Sequence, residues 1–380
     1  MGRESAGPRP PAPLWPVLAV SMALFVSFSH AADWPMGRDN PQRTGVSPSD
    51  LTEPLELLWR FQAEGAFEAE AAIAQGVVYA GTARGKFYAL ELNTGALRWT
   101  QSLKGGLSAA PCALNGRVYV ADERGAMACL EAATGQTAWT FQAEAEIHSA
   151  PACDGQRILF GSYDQRLYCL DATTPTLRWA YETEGPVHCA PTLYEGRAYV
   201  AGCDHMLRSI DLDRGQQAWA LEMDSYSAAC PAVADGVLYV GHFGGAVLAV
   251  DLSSQSVLWQ YAPPDAAEFY SSCAAAADRI IVGGRDKKVH CLDRRTGAAV
   301  WLFETKGDVD ASPCVAGGRV YVGSKDGVLY GLDLQTGQKR WEYISGAPFL
   351  ASPAIADGRL VVGDAEGVLY CFGPQDTQPK

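Results

Sequence analysis

This chain of 380 residues has few charged side chains and no helical periodicity. Asp, Glu, Lys and Arg make up 19% of it, below the roughly 25% of an average soluble protein. Its formal net charge is −13, and no basic stripe is present, which argues against nucleic acid or an anionic lipid surface as a partner. From Leu55 to Gly373 no linker and no helical pattern interrupts the sequence, so the chain is expected to lack helices.

Cysteine motifs for metal binding or lipid attachment are also missing. The 11 cysteines include no CxxC pair and no adjacent Cys-Cys pair, and no spacing of Cys and His suggests zinc. None precedes Cys112, which excludes a lipoprotein signal. After residue 28 no stretch is long and apolar enough to span a bilayer.

The sequence does contain a repeat of about 40 residues, marked by eight tryptophans. They recur every 40 residues, with one spacing of 42, at Trp59, Trp99, Trp139, Trp179, Trp219, Trp259, Trp301 and Trp341. A fixed period of this length indicates a series of supersecondary units.

Each unit reads as strands and turns. Residues 319–323 alternate in polarity and are rich in β-branched and aromatic side chains, and residues 328–332 follow after a hairpin turn. Asp333 opens a second turn that Gly337 closes. With a short segment before residue 319 and the Trp341 segment at the end, the unit has four strands, named A to D.

Four-stranded units in a radial array form a β-propeller. The strand around Trp59 precedes every A–B–C unit, and the last unit, which ends at Gly373, has no Trp strand after it. We therefore predict an all-β protein: an eight-bladed β-propeller of four-stranded antiparallel blades, whose ring is closed by the N-terminal strand. Closure removes an open sheet edge that would invite aggregation.

The cysteines fit this repeat as small buried side chains. One position of strand C holds Cys129, Cys169, Cys291 and Cys371 where the other repeats have Ala89, Ser209, Ala249 and Gly331. Cys behaves there as a small apolar residue. Pairs within one blade, such as Cys153 and Cys169, would be too far apart to bond because strand B separates A from C. We expect mostly free thiols, with one or two disulfides as the alternative.

The remaining segments define the domain organisation. We predict a signal peptide over residues 1–31, because Arg3 and Arg9 precede an apolar run and small residues follow it; a retained anchor is the alternative. Residues 32–54 are expected to form an irregular leader across the ring, 55–373 the propeller and 374–380 a frayed tail. The mature protein is expected to be exported, periplasmic or extracellular, and monomeric, with no transmembrane segment after cleavage.

The repeat resembles the quinoprotein, or PQQ-like, propeller family, whose hallmark is a D-x-x-T-G-x-x-x-W run. Residues 293–301 and 333–341 match it in full, and the runs ending at Trp99 and Trp139 have Glu in place of Asp. The resemblance implies either of two function classes. PQQ-dependent dehydrogenases hold a calcium-bound quinone in the central funnel and use an Asp base, whereas BamB-type propellers of outer-membrane barrel assembly present loops to protein partners.

The chain departs from the enzymatic branch. It has no vicinal cysteines to stack on a quinone, no long insertions to cap an active site, and its eight repeat tryptophans are assigned to blade docking. It also lacks the lipid-attachment Cys of BamB-type proteins. We expect an exported non-catalytic scaffold or ligand-binding module with a protein partner in the periplasm or envelope, no cofactor and no catalytic or metal-ligating residue. The alternative is a PQQ-dependent dehydrogenase, or a degenerate relative of one, with PQQ and calcium.

A ring of polar residues is predicted at one mouth of the central channel, one from each blade before strand A. Its members are Glu68, Ser108, His148, His188, Ala228, Tyr270, Asp310 and Leu350. The imidazoles and carboxylates could bind a metal or a polar ligand; a solvated lining is the alternative. On the B–C turns at the rim, His242, Arg285, Asp286 and Lys287 are expected to be exposed, and His290 to be a satisfied sheet residue.

Overall fold

The computed structural model describes residues 1–2, 33–265 and 267–374. The predicted signal segment, apart from residues 1 and 2, and the predicted tail, apart from residue 374, therefore lie outside the described residues. The described chain contains 32 strands in eight four-stranded sheets and no helix, hence none that could cross a membrane.

Each blade has strands A to D in order from the channel outwards. The first strand of the chain is β1 (Glu56–Gln62). Blades 1 to 4 contain β2 (Ala72–Ala74), β3 (Val77–Gly81), β4 (Lys86–Glu91), β5 (Leu97–Ser102); β6 (Cys112–Leu114), β7 (Arg117–Ala121), β8 (Ala126–Glu131), β9 (Thr137–Gln142); β10 (Ala152–Cys153), β11 (Arg157–Gly161), β12 (Arg166–Asp171), β13 (Leu177–Glu182); and β14 (Thr192–Tyr194), β15 (Arg197–Ala201), β16 (Met206–Asp211), β17 (Gln217–Glu222).

Blades 5 to 8 follow the same plan. They contain β18 (Ala232–Ala234), β19 (Val237–His242), β20 (Ala246–Asp251), β21 (Ser256–Tyr261); β22 (Ala274–Ala276), β23 (Arg279–Gly283), β24 (Lys288–Asp293), β25 (Ala299–Glu304); β26 (Cys314–Ala316), β27 (Arg319–Gly323), β28 (Val328–Asp333), β29 (Lys339–Ile344); and β30 (Ala354–Ala356), β31 (Arg359–Gly363), β32 (Val368–Gly373), which β1 completes.

The eighth blade confirms the predicted ring closure. β1 is its outermost strand and pairs antiparallel with β32, so that Trp59 lies opposite Cys371. Because the first and last strands of the propeller share one sheet, the ring is closed and no blade is left incomplete. The all-β, eight-bladed prediction is correct.

The hallmark motif explains how neighbouring blades pack. In blade 6 the Asp293 carboxylate accepts hydrogen bonds from the backbone N–H and hydroxyl of Thr296, which holds the C–D turn. Gly297 then adopts a φ of +71° and lies against the ring of Trp259 from blade 5. The indole Nε1 of Trp259 donates to the Arg294 carbonyl at 3.0 Å. Turn, glycine and tryptophan thus form one joint between two blades.

The strand C cysteines lie opposite these tryptophans. Cys129 pairs with Trp139, Cys169 with Trp179 and Cys291 with Trp301. A small side chain is required there because the cross-strand indole covers the position. Nine of the 11 cysteines are free, and the one disulfide joins Cys112 to Cys153, on the innermost strands of two neighbouring blades.

An irregular segment, residues 33–50, crosses the inner end of the blades; we call it the floor segment. Trp34 exchanges two backbone hydrogen bonds with Ile73 of blade 1. The carbonyls of Pro41, Gln42, Thr44 and Gly45 accept from the innermost strands of blades 4 to 7, and the Ser47 hydroxyl donates to blade 8. The floor segment thereby binds strands of blades 1 and 4 to 8 and covers one end of the channel.

Candidate functional site

The predicted ring residues all line one cavity, the central channel above the floor segment. We call these eight residues, Glu68 to Leu350 in the order given above, the mouth ring. The cavity has a volume of about 700 Å³ including its open mouth. One position, just before strand A, is repeated in eight blades, and the propeller geometry turns it each time towards the same axis.

A second ring, which the sequence reasoning missed, lies two residues further along each blade. It consists of Glu70, Ala110, Ala150, Ala190, Cys230, Ser272, Ser312 and Ser352. In strands the side chains at i and i+2 share a face, so the mouth ring itself was the signal that could have revealed it.

Hydrogen bonds connect this second ring from blade to blade. The backbone N–H of Cys230 donates to the Ser272 hydroxyl at 2.9 Å. The N–H of Ser272 donates to Ser312 at 2.9 Å and that of Ser312 to Ser352 at 2.8 Å. The N–H of Ala190 donates to the Cys230 sulfur at 3.3 Å. Cys230 therefore acts as an acceptor where the following blades have serine.

Two arginines of the floor segment form the base of the cavity. Arg43 is 1% exposed, and its guanidinium donates to the carbonyls of Gly37 and Pro191, both at 2.8 Å. Arg38 donates to carbonyls of blades 6 and 7, including Pro313 at 2.5 Å. Burial lowers the pKa of Arg43, and backbone carbonyls accept hydrogen bonds from its guanidinium, so Arg43 is held in place at the base.

A buried carboxyl pair accompanies these arginines. The Glu70 carboxylate accepts from the Trp34 indole and, at 3.0 Å, from the Arg38 backbone N–H. Burial raises the pKa of Glu70. Burial, together with the charge of Glu70, also raises the pKa of Asp39 to about 7.

The two histidines of the mouth ring lie side by side. His148 and His188 stack with ring centroids 5.7 Å apart. The Ser108 hydroxyl lies 2.9 Å from His148 Nδ1, and the Tyr163 and Tyr270 hydroxyls lie 2.8 and 3.4 Å from the two nitrogens of His188. Burial and the neighbouring His148 lower the pKa of His188 to about 4. His188 is therefore neutral at pH 7, with both nitrogens partnered.

Asp310, on the opposite side of the ring, is fully engaged in ion pairs. Its carboxylate accepts from Arg285 at 2.9 and 3.1 Å and lies 2.8 Å from Lys325 Nζ. Burial by itself would raise the pKa of Asp310, but the bonds from Arg285 and Lys325 outweigh it and lower that pKa. Glu68 lies elsewhere in the mouth, where burial and the charge of Glu123 raise its pKa. The two carboxylates therefore have different partners.

Aromatic side chains continue from the channel to the rim on blades 3 to 6. Tyr226 is 43% exposed and stacks on Phe243 at 4.5 Å. The Arg285 guanidinium lies over the Tyr270 ring at 4.8 Å and over the Phe243 ring at 5.6 Å. We call Tyr163, Tyr226, Phe243 and Tyr270 the aromatic arc. Only Tyr270 was among the predicted site residues. The other three lie in loops, where no sequence pattern marks them as channel residues.

Two of the rim predictions are wrong. His242 is 1% exposed because it ends strand β19 beneath the next D–A loop, where its carbonyl accepts from the Phe269 N–H. The side chain of Asp286 is only 7% exposed, with His290 3.1 Å and Lys288 3.8 Å from its carboxylate. His290 itself is buried and hydrogen-bonded to Asp286 and Tyr261, as predicted. In the described residues no three His, Cys, Asp or Glu side chains converge as a metal-holding group.

A family model described as outer membrane protein assembly factor BamB matches the chain over residues 55–150, 128–271 and 266–379. The chain belongs to this PQQ-like β-propeller family. No curated protein matches its sequence.

Solved structures share the fold of this PQQ-like propeller at low sequence identity. BamB from Moraxella catarrhalis is 18% identical with a TM-score of 0.73, covering 86% of this chain and 99% of that one. The quinohemoprotein alcohol dehydrogenase from Comamonas testosteroni is 16% identical with a TM-score of 0.78, covering 92% and 82%. The computationally designed protein Ika8 is 18% identical with a TM-score of 0.74, covering 82% and 98%. Because BamB, an alcohol dehydrogenase and a designed chain share this architecture, the fold alone does not assign an activity.

Proposed function

We propose that this PQQ-like propeller is an exported, non-catalytic scaffold of the cell envelope that binds a protein partner. The observation that carries the proposal is that two ionisable groups of the channel, Asp310 and His188, are already engaged by neighbouring side chains. Asp310 is bound by Arg285 and Lys325, and His188 by Tyr163 and Tyr270.

A general base must reach the proton that it abstracts and must be free to accept it. Asp310 would have to give up two cationic partners, and the lone pair of neutral His188 faces a tyrosine hydroxyl. These contacts favour a rigid surface over an acid–base site. The functional contacts would then be made by the loops and turns at the mouth. Binding residues often lie on loops that a rigid scaffold holds in position.

The residues in the channel also fit calcium and a quinone poorly. Calcium takes six to eight oxygen ligands, whereas Asp310 is already neutralised by cations and Glu68 lies on a different part of the wall. We therefore propose that the protein uses no cofactor. A PQQ-dependent dehydrogenase, or a degenerate relative, is the second candidate, favoured by the fold shared with the alcohol dehydrogenase.

The proposed location is the periplasm or the extracellular space. It is supported by the N-terminal targeting pattern and by the family model that describes an outer membrane assembly factor. We propose that the mature chain is a monomer, with its contacts made at the mouth of the channel.

Capture of tagged protein from cross-linked envelope fractions tests the scaffold. We expect one partner in near-stoichiometric amount, reduced by Tyr226→Ala at the mouth and unaffected by Leu177→Ala on an exposed outer strand. Calorimetric titration with PQQ and calcium, followed by a dye-linked assay on alcohols and aldose sugars, tests the second candidate. Micromolar quinone binding with turnover would replace the scaffold proposal with the enzyme.

A further inference from the structure

The channel mouth contains a guanidinium site that the chain fills with its own arginine. Arg285 is bound in two contacts by Asp310, and its guanidinium lies over the faces of Tyr270 and Phe243. A carboxylate at the edge and aromatic rings on the face are the two interactions that a planar guanidinium makes best.

The wall on blades 1 to 3 has the same kinds of groups without an internal cation. Glu68 and Glu123 lie close enough for the charge of Glu123 to act on Glu68. His148 adjoins Glu123, and the centroid of the His148 ring lies 4.8 Å from that of Tyr163. Across the described residues, no Lys or Arg lies within 4 Å of either carboxylate; Glu123 has only His148 Nδ1, at 3.9 Å. Tyr163 is 37% exposed.

We propose that this wall, formed by Glu68, Glu123, His148 and Tyr163, binds the guanidinium of an arginine presented by the protein partner. The inference rests on the scaffold function proposed above and names the chemistry of that partner. The two carboxylates supply the acceptors for paired N–H donors, and Tyr163 supplies a face for stacking.

Charge and shape both favour such a partner over an acidic or apolar one. The chain has a formal net charge of −13, which attracts a basic surface during encounter. The floor segment closes the base of the cavity, so a side chain enters from the mouth alone. Tyr226, which is 43% exposed, stacks on Phe243 of blade 5, and tyrosine is a residue type enriched among the strong contributors to protein interfaces.

The direct test uses blocked peptides as probes. Acetyl-Gly-Arg-Gly-amide is titrated into the full chain by NMR or calorimetry and compared with acetyl-Gly-Lys-Gly-amide and acetyl-Gly-Glu-Gly-amide. We expect the arginine peptide to bind at least several-fold more tightly than the lysine peptide and the glutamate peptide not to bind. The double variant Glu68→Gln, Glu123→Gln should weaken arginine binding at least tenfold, and Glu222→Gln, an exposed acid outside the cavity, should leave it unchanged.

The variants should fold, because Gln retains the shape of Glu. An unchanged melting temperature of each variant checks this. Equal binding of the arginine and glutamate peptides, or unchanged binding by the double variant, would overturn the inference. Calcium chloride is a further probe, and calcium that displaces the arginine peptide from the wall would overturn the inference as well.

If the double variant captures the same envelope partner as the native chain, the scaffold function stands and this inference fails. If the arginine peptide binds as expected but no partner is captured, the guanidinium site stands and the scaffold fails.

Discussion

Cys371 on the last strand lies directly opposite Trp59 on the first strand of the propeller. The Trp59 indole crosses to blade 1, where its Nε1 donates to the Leu92 carbonyl at 2.7 Å and its ring covers Gly95. One residue near the N-terminus thus joins the C-terminal sheet to the first complete blade. Since each blade of a propeller is held by its neighbours, this contact is part of the joint that closes the ring between blades 8 and 1.

Replacing Trp59 with Ala should destabilise the protein by about 3–5 kcal/mol, since a large buried aromatic side chain is lost. Leu57→Ala is the matched control, because Leu57 is on the same strand but exposed, and it should change stability by less than about 0.5 kcal/mol. Urea unfolding measures both. Equal effects would mean that the strand, rather than the Trp59 contact, closes the ring.

Gly297→Ala should cost more than Gly318→Ala. Both glycines have positive φ, +71° and +74°, so an added Cβ strains both backbones, by roughly 1 kcal/mol. At Gly297 the new Cβ would also lie 2.6 Å from the Trp259 ring, whereas at Gly318 it would meet nothing within 4 Å. Thermal unfolding of the two variants isolates the inter-blade contact. A Gly297 variant no less stable than the Gly318 variant would contradict the role assigned to the motif.

Thiol titration in denaturant without reductant should find nine free cysteines and one disulfide. The nine are held as small buried side chains, and burial raises the pKa of Cys371 to about 12, which makes it unreactive in the native state. Cys112→Ser should then expose one further thiol, that of Cys153. A count of one or fewer free thiols, meaning five disulfides, would disprove the assignment of these positions to packing.

Asp39 should make the protein less stable as the pH rises from about 4 to 7. Its folded-state pKa of about 7 exceeds the ordinary 3.8, so the folded chain keeps a proton that the unfolded chain releases in this range. The stabilisation is present below pH 4 and is lost by pH 7; the shift corresponds to about 4 kcal/mol.

Asp39→Asn tests this dependence, because Asn has the same shape and tolerates the left-handed φ of +77° found there. Relative to the native chain, the variant should gain stability between pH 4 and 7 by urea unfolding. A difference that stays constant across that range would show that Asp39 does not titrate as described.

Much of this architecture could be predicted from the sequence because it repeats. The 40-residue period gave eight equivalent positions for each structural role, so the Trp, Gly and small strand C residues could be assigned by comparison of the chain with itself. His242 and Asp286 were mispredicted although both occupy repeated positions. The counterpart of His242 in blade 7, Ser324, is buried, and its carbonyl accepts from the same position of the D–A loop. Asp326 pairs with Tyr330 four residues on, as Asp286 does with its own strand C residue, so comparison of the turns between blades could have revealed both.

The sequence by itself determined the blade count, the ring closure and the residues that face the channel, because alternation and period follow from local backbone geometry. Tertiary structure alone decided which of the channel residues neutralise one another. Arg285 and Lys325 come from different blades than the turns around Glu68, and only the curvature of the ring brings them to Asp310 and leaves Glu68 beside Glu123. Such distances depend on loop conformations and side-chain packing across blades, which have no period in the sequence.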